Sequence, residues 1–452
     1  MIRSNRYGYR IAFACEDGEE PHVMIEGRDF HVKETTLCDG LLSSLPIRER
    51  DLVRIASGVY FADRMIRRKH ASRTVRLDVE VGDVDFWETA RTRSLIENAV
   101  QSVSDDIWDL TLTAGKPSAS ESYLPFPHEG KRVCLYSGGL DSAAGLAAQL
   151  RTGAMPMLTV TASHQPGQST RVREQVAVMS QRYGSQVFPL LPRIAMIRPP
   201  RMSQQETSQR CRGFLFLAFG GVVAARVGAP QVEIYENGIG ALNLPLMTGM
   251  LFGSRATKGT HPHFLRLMSD LLSRVSEKRV DFVLPFRHST KGELVRFLRQ
   301  DGFDELAQRT ISCSHYPIRT SGHAKQCGWC PACIGRRQAM IEAGIDEDRH
   351  AYEYDLFGPP DAVNAVANEK LDFIKAHLMQ LVQLGELRDD GRKPDILWRH
   401  AVWTHFLTGQ EPILPWVDLL RRYRVEWLRL VGRGQQIGWR WAAWFSASGA
   451  AA

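Results

Sequence analysis

Residues 133–150, VCLYSGGLDSAAGLAAQL, decide the fold. Val133 to Tyr136 reads as a short buried strand, and Ala143 to Leu150, built from strong helix formers, reads as a helix. Between them Gly138 and Gly139 permit a tight turn with φ > 0 and a close approach to the backbone. Asp141 and Ser142 stand where a helix start wants side-chain oxygens. Such a turn directs N–H groups outward at the positive end of a helix dipole, which suits phosphate. The plainer reading is a βα turn that only caps its helix, for which one of these residues would do. No lysine follows the glycines, so the loop is not of the GxxxxGK(S/T) kind.

The pattern around this stretch repeats. From residue 131 to about 345, VCLY, MPMLTV, QVFPLL, VEIYEN and DFVLPF alternate with helical stretches. That alternation predicts an α/β fold with a doubly wound, mainly parallel sheet, whose ligand sites lie at the carboxyl ends of the strands. Residues 1–125 read as an N-terminal α+β domain, with HVMIEG, DFHVKE, GVYFAD and RTVRLDVEV as strands and a helix near Trp87 to Val103. TAGKPSASESYLPFPHEG, rich in Ser, Pro and Gly, reads as the linker that follows. Residues 350–452 read as a helical extension, and seven of the ten tryptophans fall between Trp398 and Trp444. Helices packed on the α/β domain explain that crowding; a protein-docking surface, served by the run RRYRVEWLRL, is the alternative.

The whole chain sets limits. At 452 residues it holds two or three domains. No apolar run is long enough to span a bilayer, and MIRSNRYGYR lacks the apolar stretch of a signal peptide, so a cytoplasmic protein is expected. In that compartment its eight cysteines stay reduced, and a cluster among them points to metal or catalysis. The net charge of +7 suits a nucleotide or an RNA partner, although the basic residues are dispersed.

Such a cluster stands in CSHYPIRTSGHAKQCGWCPACIGRRQA, residues 313–339. Cys313, Cys327, Cys330 and Cys333 supply the four thiolates of a closed tetrahedral Zn²⁺ site, which would pin both ends of the loop 314–326. An iron–sulfur cluster or free thiols are the other readings. His315 and His323 share the loop and either replace one cysteine or face the surface or a substrate. Cys15, Cys38, Cys134 and Cys211 show no pairing pattern and read as small apolar residues.

The loop SGGLDS resembles the SGGxDS loop of the PP-loop ATP pyrophosphatases, which grip the β,γ-pyrophosphate and split ATP into AMP and pyrophosphate. With a four-cysteine site some 170 residues later, the chain resembles the 7-cyano-7-deazaguanine synthase family, QueC. Two further stretches carry the likeness. CRGFLFLAFGGVVAAR, residues 211–226, is similar to that family's arginine-bearing helix through Arg212, Phe216 and Leu217. PFRHSTKGELVRF, residues 285–297, is similar to its (S/T)-K-x-E segment through Thr290, Lys291 and Glu293.

The resemblance implies that ATP activates the carboxylate of 7-carboxy-7-deazaguanine, that ammonia captures the acyl adenylate, and that a second ATP dehydrates the amide to the nitrile. It assigns Ser137, Gly138, Gly139, Leu140, Asp141 and Ser142 to the ATP pyrophosphate, with Mg²⁺ sharing its charge. Arg212 and Lys291 become the catalytic cations, and Glu236, Asn237 and His261 the substrate contacts. Simpler roles stand beside these: a surface salt bridge for Arg212, a turn cap for Glu236, and a helix cap for Lys291 with Glu293.

The chain also departs from the family. In place of the usual Tyr-Pro-Asp-Cys-Arg-Pro-type segment it has ENGIGALNLPL and GSRATKGTHPHFLRLM, with His261 and Pro262 where Arg-Pro would stand. Its length, with regions on both flanks, looks like the QueC-like proteins of bacterial anti-phage gene clusters, the QatC type and those of cyclic-nucleotide immune operons. That likeness implies a partner-protein amine as acceptor instead of ammonia. A PP-loop enzyme modifying tRNA and a non-catalytic binding module are the competing classes.

Overall fold

The computed structural model of the chain describes residues 9–15, 21–26, 28–33, 45–68, 72–115, 131–153, 156–162, 167–184, 187–196, 206, 209–244, 258–316, 326–385, 387 and 414–447. They form two compact units. The first takes the described residues of Met1–Ser137, Gly153–Ile234 and Phe252–Val283; the second takes those of Gly138–Thr152, Tyr235–Leu251 and Leu284–Ala452.

The first unit holds the strands β1 (Arg10–Cys15), β2 (His22–Ile25), β3 (Phe30–Lys33), β4 (Thr74–Val81), β5 (Ile107–Ala114), β6 (Arg132–Leu135), β7 (Met157–Val160), β8 (Val187–Leu190), β9 (Arg193–Met196), β10 (Gln231–Ile234) and β11 (Asp281–Val283). Five of them make a parallel sheet in the order β11-β10-β6-β7-β8. Val133 of β6 pairs with Leu158 on one side and Val232 on the other. The sequence expectation of a mainly parallel α/β sheet is met, and the architecture is consistent with a Rossmann-like fold. β7 is buried along its whole length, which is why parallel strands read as apolar runs without alternation. Chain order reverses between β6 and β10, the kind of switch point at which open α/β sheets bind ligands. The chain leaves β6 into SGGLDS and β10 into YENG.

A second sheet, in the order β2-β1-β4-β5, combines antiparallel β1–β2 and β1–β4 pairs with a parallel β4–β5 pair. β3 and β9 pair separately. HVMI, FHVK and TVRLDVEV are strands as expected, and the expected helix is Ala90–Ser104. GVYFAD is a correction: these residues lie in the helix Ile47–Met65. Val-Tyr-Phe favours strand when seen alone. In context Leu52, Val53, Ile55, Ala56, Val59, Tyr60 and Met65 are all buried, so a helix enclosed by neighbours on most sides shows little period to betray it.

The second unit is helical where it is described. Its larger apolar core gathers Leu378, Leu381, Trp416, Trp427, Trp439 and Trp441, and truncating any one of these tryptophans would cost about 3–5 kcal/mol. Trp439 and Trp441 donate their indole N–H groups to Gly358 and Leu356 carbonyls, each at 2.9 Å. The run RRYRVEWLRL falls in the helix Leu414–Ile437 and is spent inside this unit. Tyr423, Trp427 and Leu430 are buried, Arg422 binds Glu293, and Arg424 donates to the Leu381 carbonyl. Trp398 and Trp403 lie outside the described residues. Among the described residues no helix is long and apolar enough to cross a membrane.

Candidate functional site

The loop after β6 turns at Gly138, whose φ of 75° is the left-handed conformation glycine adopts without strain. Gly139 is extended and opens the helix Leu140–Arg151. No side chain caps that helix start: Ser142 Oγ donates to the Gly139 carbonyl at 3.0 Å, and the Asp141 carboxylate faces other elements. Asp141 is engaged by Lys291 and Asn237 instead of by its own helix start. Farther along, a Cβ at Gly145 would stand 2.3 Å from Tyr235 Cβ, so a bare backbone lets the helix pass close to the segment that carries Glu236.

Asp141 is the centre of a cluster drawn from three segments of the second unit. Its Oδ2 accepts from Lys291 Nζ at 2.5 Å and its Oδ1 accepts from Asn237 Nδ2 at 3.0 Å. Asn237 is oriented by its own helix: its Oδ1 caps Gly238–Leu242 by accepting from Gly240 N, which turns Nδ2 toward the acids. The same Nδ2 donates to Glu236 Oε1 at 2.9 Å. The turn cap is thus Asn237, and Glu236 is left for something else.

Electrostatics separate the members. Burial and then the negative charge of Asp141 push the Glu236 carboxyl up to about 8, against the opposing pull of Lys291. Burial acts to lower the Lys291 ammonium, but Asp141 and Glu236 outweigh it and hold it above its usual range. Lys291 is thus held as an ammonium on Asp141, beside a glutamic acid whose ionisation is disfavoured. Lys291 begins the helix Lys291–Gln300, and the cap belongs to its neighbours. Thr290 Oγ1 accepts from Glu293 N and Glu293 Oε2 accepts from Thr290 N, a complete capping box.

Arg212 and His261 lie in the first unit. Arg212 is the first residue of the helix Arg212–Val227, and Cys211 N just before it donates to Asp63 Oδ2 at 2.9 Å. Arg210, fully buried, donates to the Ser104 carbonyl at 2.7 Å. Arg212 lies over the Phe216 ring at 5.8 Å, and burial pulls its guanidinium below its usual range. Among the described residues no carboxylate pairs with it. His261 is buried at the start of the helix Pro262–Ser276, where its Nδ1 accepts from His263 N at 3.2 Å.

The cysteines come together as a metal cradle. Cys313, His315, Cys327 and Cys330 have ligand atoms within 4.8 Å of one another, a Cys/His cluster compatible with zinc. Cys333 Sγ stands 3.9 Å from Cys327 Sγ. A tetrahedron with Zn–S bonds of about 2.3 Å has S···S edges of about 3.8 Å, so the spacing fits the ion. Backbone N–H groups of His315 and Cys327 donate to Cys313 Sγ, that of Cys330 to Cys327 Sγ and that of Cys333 to Cys330 Sγ, each at 3.4 Å. Such donors support thiolate charge. Hydrogen bonds from Cys313, Cys327 and Cys333 hold the Cys330 thiol far below its usual range. His315, which the sequence left as a secondary candidate, has Nδ1 at 3.5 Å from Cys327 Sγ; its place two residues after Cys313 was the available signal. His323 lies outside the described residues.

Sequence reasoning missed Glu426, a buried acid of the helix Leu414–Ile437 that reaches Thr290 across a separation of 136 residues. No local motif carries such a contact.

Comparison with known proteins gives one partial match. The profile of the family described as "Queuosine biosynthesis protein QueC" matches residues 259–344, which include Lys291 and all four clustered cysteines. No curated protein matches the chain.

Proposed function

We propose that this chain is a QueC-like ATP pyrophosphatase of the PP-loop type that adenylates the carboxylate of a 7-deazaguanine and passes the acyl group to an amine. The observation that carries the proposal is the Asp141–Lys291–Asn237 cluster beside the SGGLDS helix start. A carboxylate is a poor acyl donor. Attack of its oxygen on the α-phosphorus of ATP forms an acyl adenylate and releases pyrophosphate. The amine nitrogen then forms the C–N bond while AMP leaves with the C–O electrons, and the amine gives up a proton.

Each assigned residue has a distinct task. Ser137 to Ser142 hold the pyrophosphate at the positive end of the helix Leu140–Arg151. Mg²⁺, when bound, shares the phosphate charge, and Asp141 is the carboxylate that would hold it. Lys291 meets the phosphate as charge develops, and Arg212 supplies a second cation to an anionic group. Glu236, once ionised, accepts from the N–H donors of a guanine-like edge, with Asn237 fixing its position. Zinc on Cys313, Cys327, Cys330 and Cys333 ties down the residues on either side of the loop 314–326. The flanking regions and the altered substrate segment support a reading as the longer, anti-phage-associated type, with ammonia or an amine of a partner protein as the acceptor.

Purified protein with ATP, Mg²⁺ and 7-carboxy-7-deazaguanine should form AMP rather than ADP. The product mass with ammonia, and then with a protein encoded beside this one, names the acceptor. AMP formed on tRNA instead would replace the substrate assignment. ATP binding without turnover across acids and amines would replace it with a binding role.

A further inference from the structure

The helix Leu414–Ile437 lies outside residues 259–344, yet it grips the start of the helix that carries Lys291. Glu426 is buried. Its Oε1 accepts from Thr290 Oγ1 at 2.5 Å and its Oε2 from Gln338 Nε2 at 3.1 Å. One turn earlier, Arg422 Nε donates to Glu293 Oε1 at 2.8 Å and Arg422 Nη2 to the His288 carbonyl at 2.6 Å. Thr290 and Glu293 are the two members of the capping box, so helix Leu414–Ile437 holds both.

The fit is specific. Thr290 Oγ1 accepts from Glu293 N and donates its proton to Glu426, which exhausts the useful directions of that hydroxyl. Gly292 provides the room: a Cβ there would stand 2.9 Å from Glu426 Oε1 and 2.8 Å from Glu342 Cγ. Gln338 and Glu342 belong to the helix Pro331–Ala343, which also presents Cys333. Three helices therefore meet at the residue before Lys291.

We propose that Glu426 is a positioning residue for Lys291: by holding the Thr290 hydroxyl it fixes the helix start from which the lysine reaches Asp141. The effect on catalysis rests on the function proposed above; the brace itself does not.

The test reads Lys291 directly. Full-length protein is exposed to an amine-acylating reagent, and labelling rates of individual lysines are followed by peptide mass spectrometry, beside AMP formation and thermal melting. Glu426→Ala should raise Lys291 labelling about tenfold and lower AMP formation about 30-fold, as expected for loss of a buried hydrogen bond that positions a reacting group. Lys370, which lies over Trp329 in the same unit, should keep its rate. Glu426→Gln retains an oxygen for Thr290 and should stay within about twofold of the unmodified chain in both readouts. Gly292→Ala, the milder variant should Glu426→Ala fail to fold, should shift labelling in the same direction. Unchanged Lys291 labelling in Glu426→Ala and Gly292→Ala, or equal increases at Lys370, would overturn the brace. Absence of AMP from the unmodified protein would overturn the catalytic assignment alone, and the labelling would still decide the brace.

Discussion

Lys291 and Arg212 each begin a helix, in different units, and the molecule keeps them in opposite electrostatic states. Lys291 is bound to Asp141 and raised above its usual range, with Glu236 close by. Arg212 is half-buried, depressed by burial, and without a carboxylate among the described residues. An anion arriving at Lys291 must compete with an acid already in place; one arriving at Arg212 displaces none. The two cations are therefore not interchangeable. The lysine has a position fixed by Asp141, whereas the arginine rests over Phe216. Their supports differ as well: Asp63 holds the backbone just before Arg212, and Glu426 holds the residue just before Lys291.

The largest expected effect breaks the pairing. Lys291→Ala should lower kcat about 1000-fold with little change in ATP affinity, because the lysine acts where charge develops. Asp141→Asn should fall nearly as far, read by the same AMP assay. If either variant changes only KM, the contrast with Arg212 disappears.

Metal removal comes next and acts on the lysine's unit. Chelation, or Cys330→Ser, should lower the melting temperature by about 10 °C and should release close to one zinc per chain. Hydrogen exchange should rise first in the helix Pro331–Ala343, whose Arg336 ties Thr310, Glu347 and Tyr352 together. Exchange at the start of the helix Arg212–Val227 should stay slow until global unfolding.

Arg212→Ala should raise KM about 100-fold while kcat changes far less, the mirror of Lys291→Ala. Arg212→Lys should recover only part of that, since a compact ammonium is more costly to desolvate than a guanidinium. A neutral result would make Arg212 a packing residue on Phe216.

The smallest effect concerns Glu236. Its carboxyl, raised to about 8, must ionise before it can accept two N–H donors, so substrate affinity rises with pH and levels off above 8. Between pH 7 and pH 8 the dissociation constant should tighten about fivefold, with proton release in calorimetry. Glu236→Gln should weaken binding and flatten the profile. Affinity that falls over this range would remove Glu236 from the base edge.

Much of this was legible in the sequence, and the limits have physical causes. The strands VCLY, MPMLTV and VEIYEN were readable because buried parallel strands are compact apolar runs between turn residues. GVYFAD was misread because a helix enclosed by neighbours does not alternate. β1 and β5 escaped notice because one is a short RIAFAC run and the other runs up to the linker. At the site, SGGLDS, Lys291 and the cysteines stood out as local motifs, and the Thr290–Glu293 box could be written from spacing alone. Glu426 could not, since burial against Thr290 is a property of tertiary packing. Nor does sequence say whether Asn237 or Glu236 caps the short helix Gly238–Leu242; side-chain geometry does.

The most direct measurement of the central claim is exchange of labelled pyrophosphate into ATP. With Mg²⁺ and 7-carboxy-7-deazaguanine present, label should enter ATP; without the acid, or in Lys291→Ala, it should not. Exchange that ignores the acid, or ADP with phosphate as the products, would contradict carboxylate adenylation at this site.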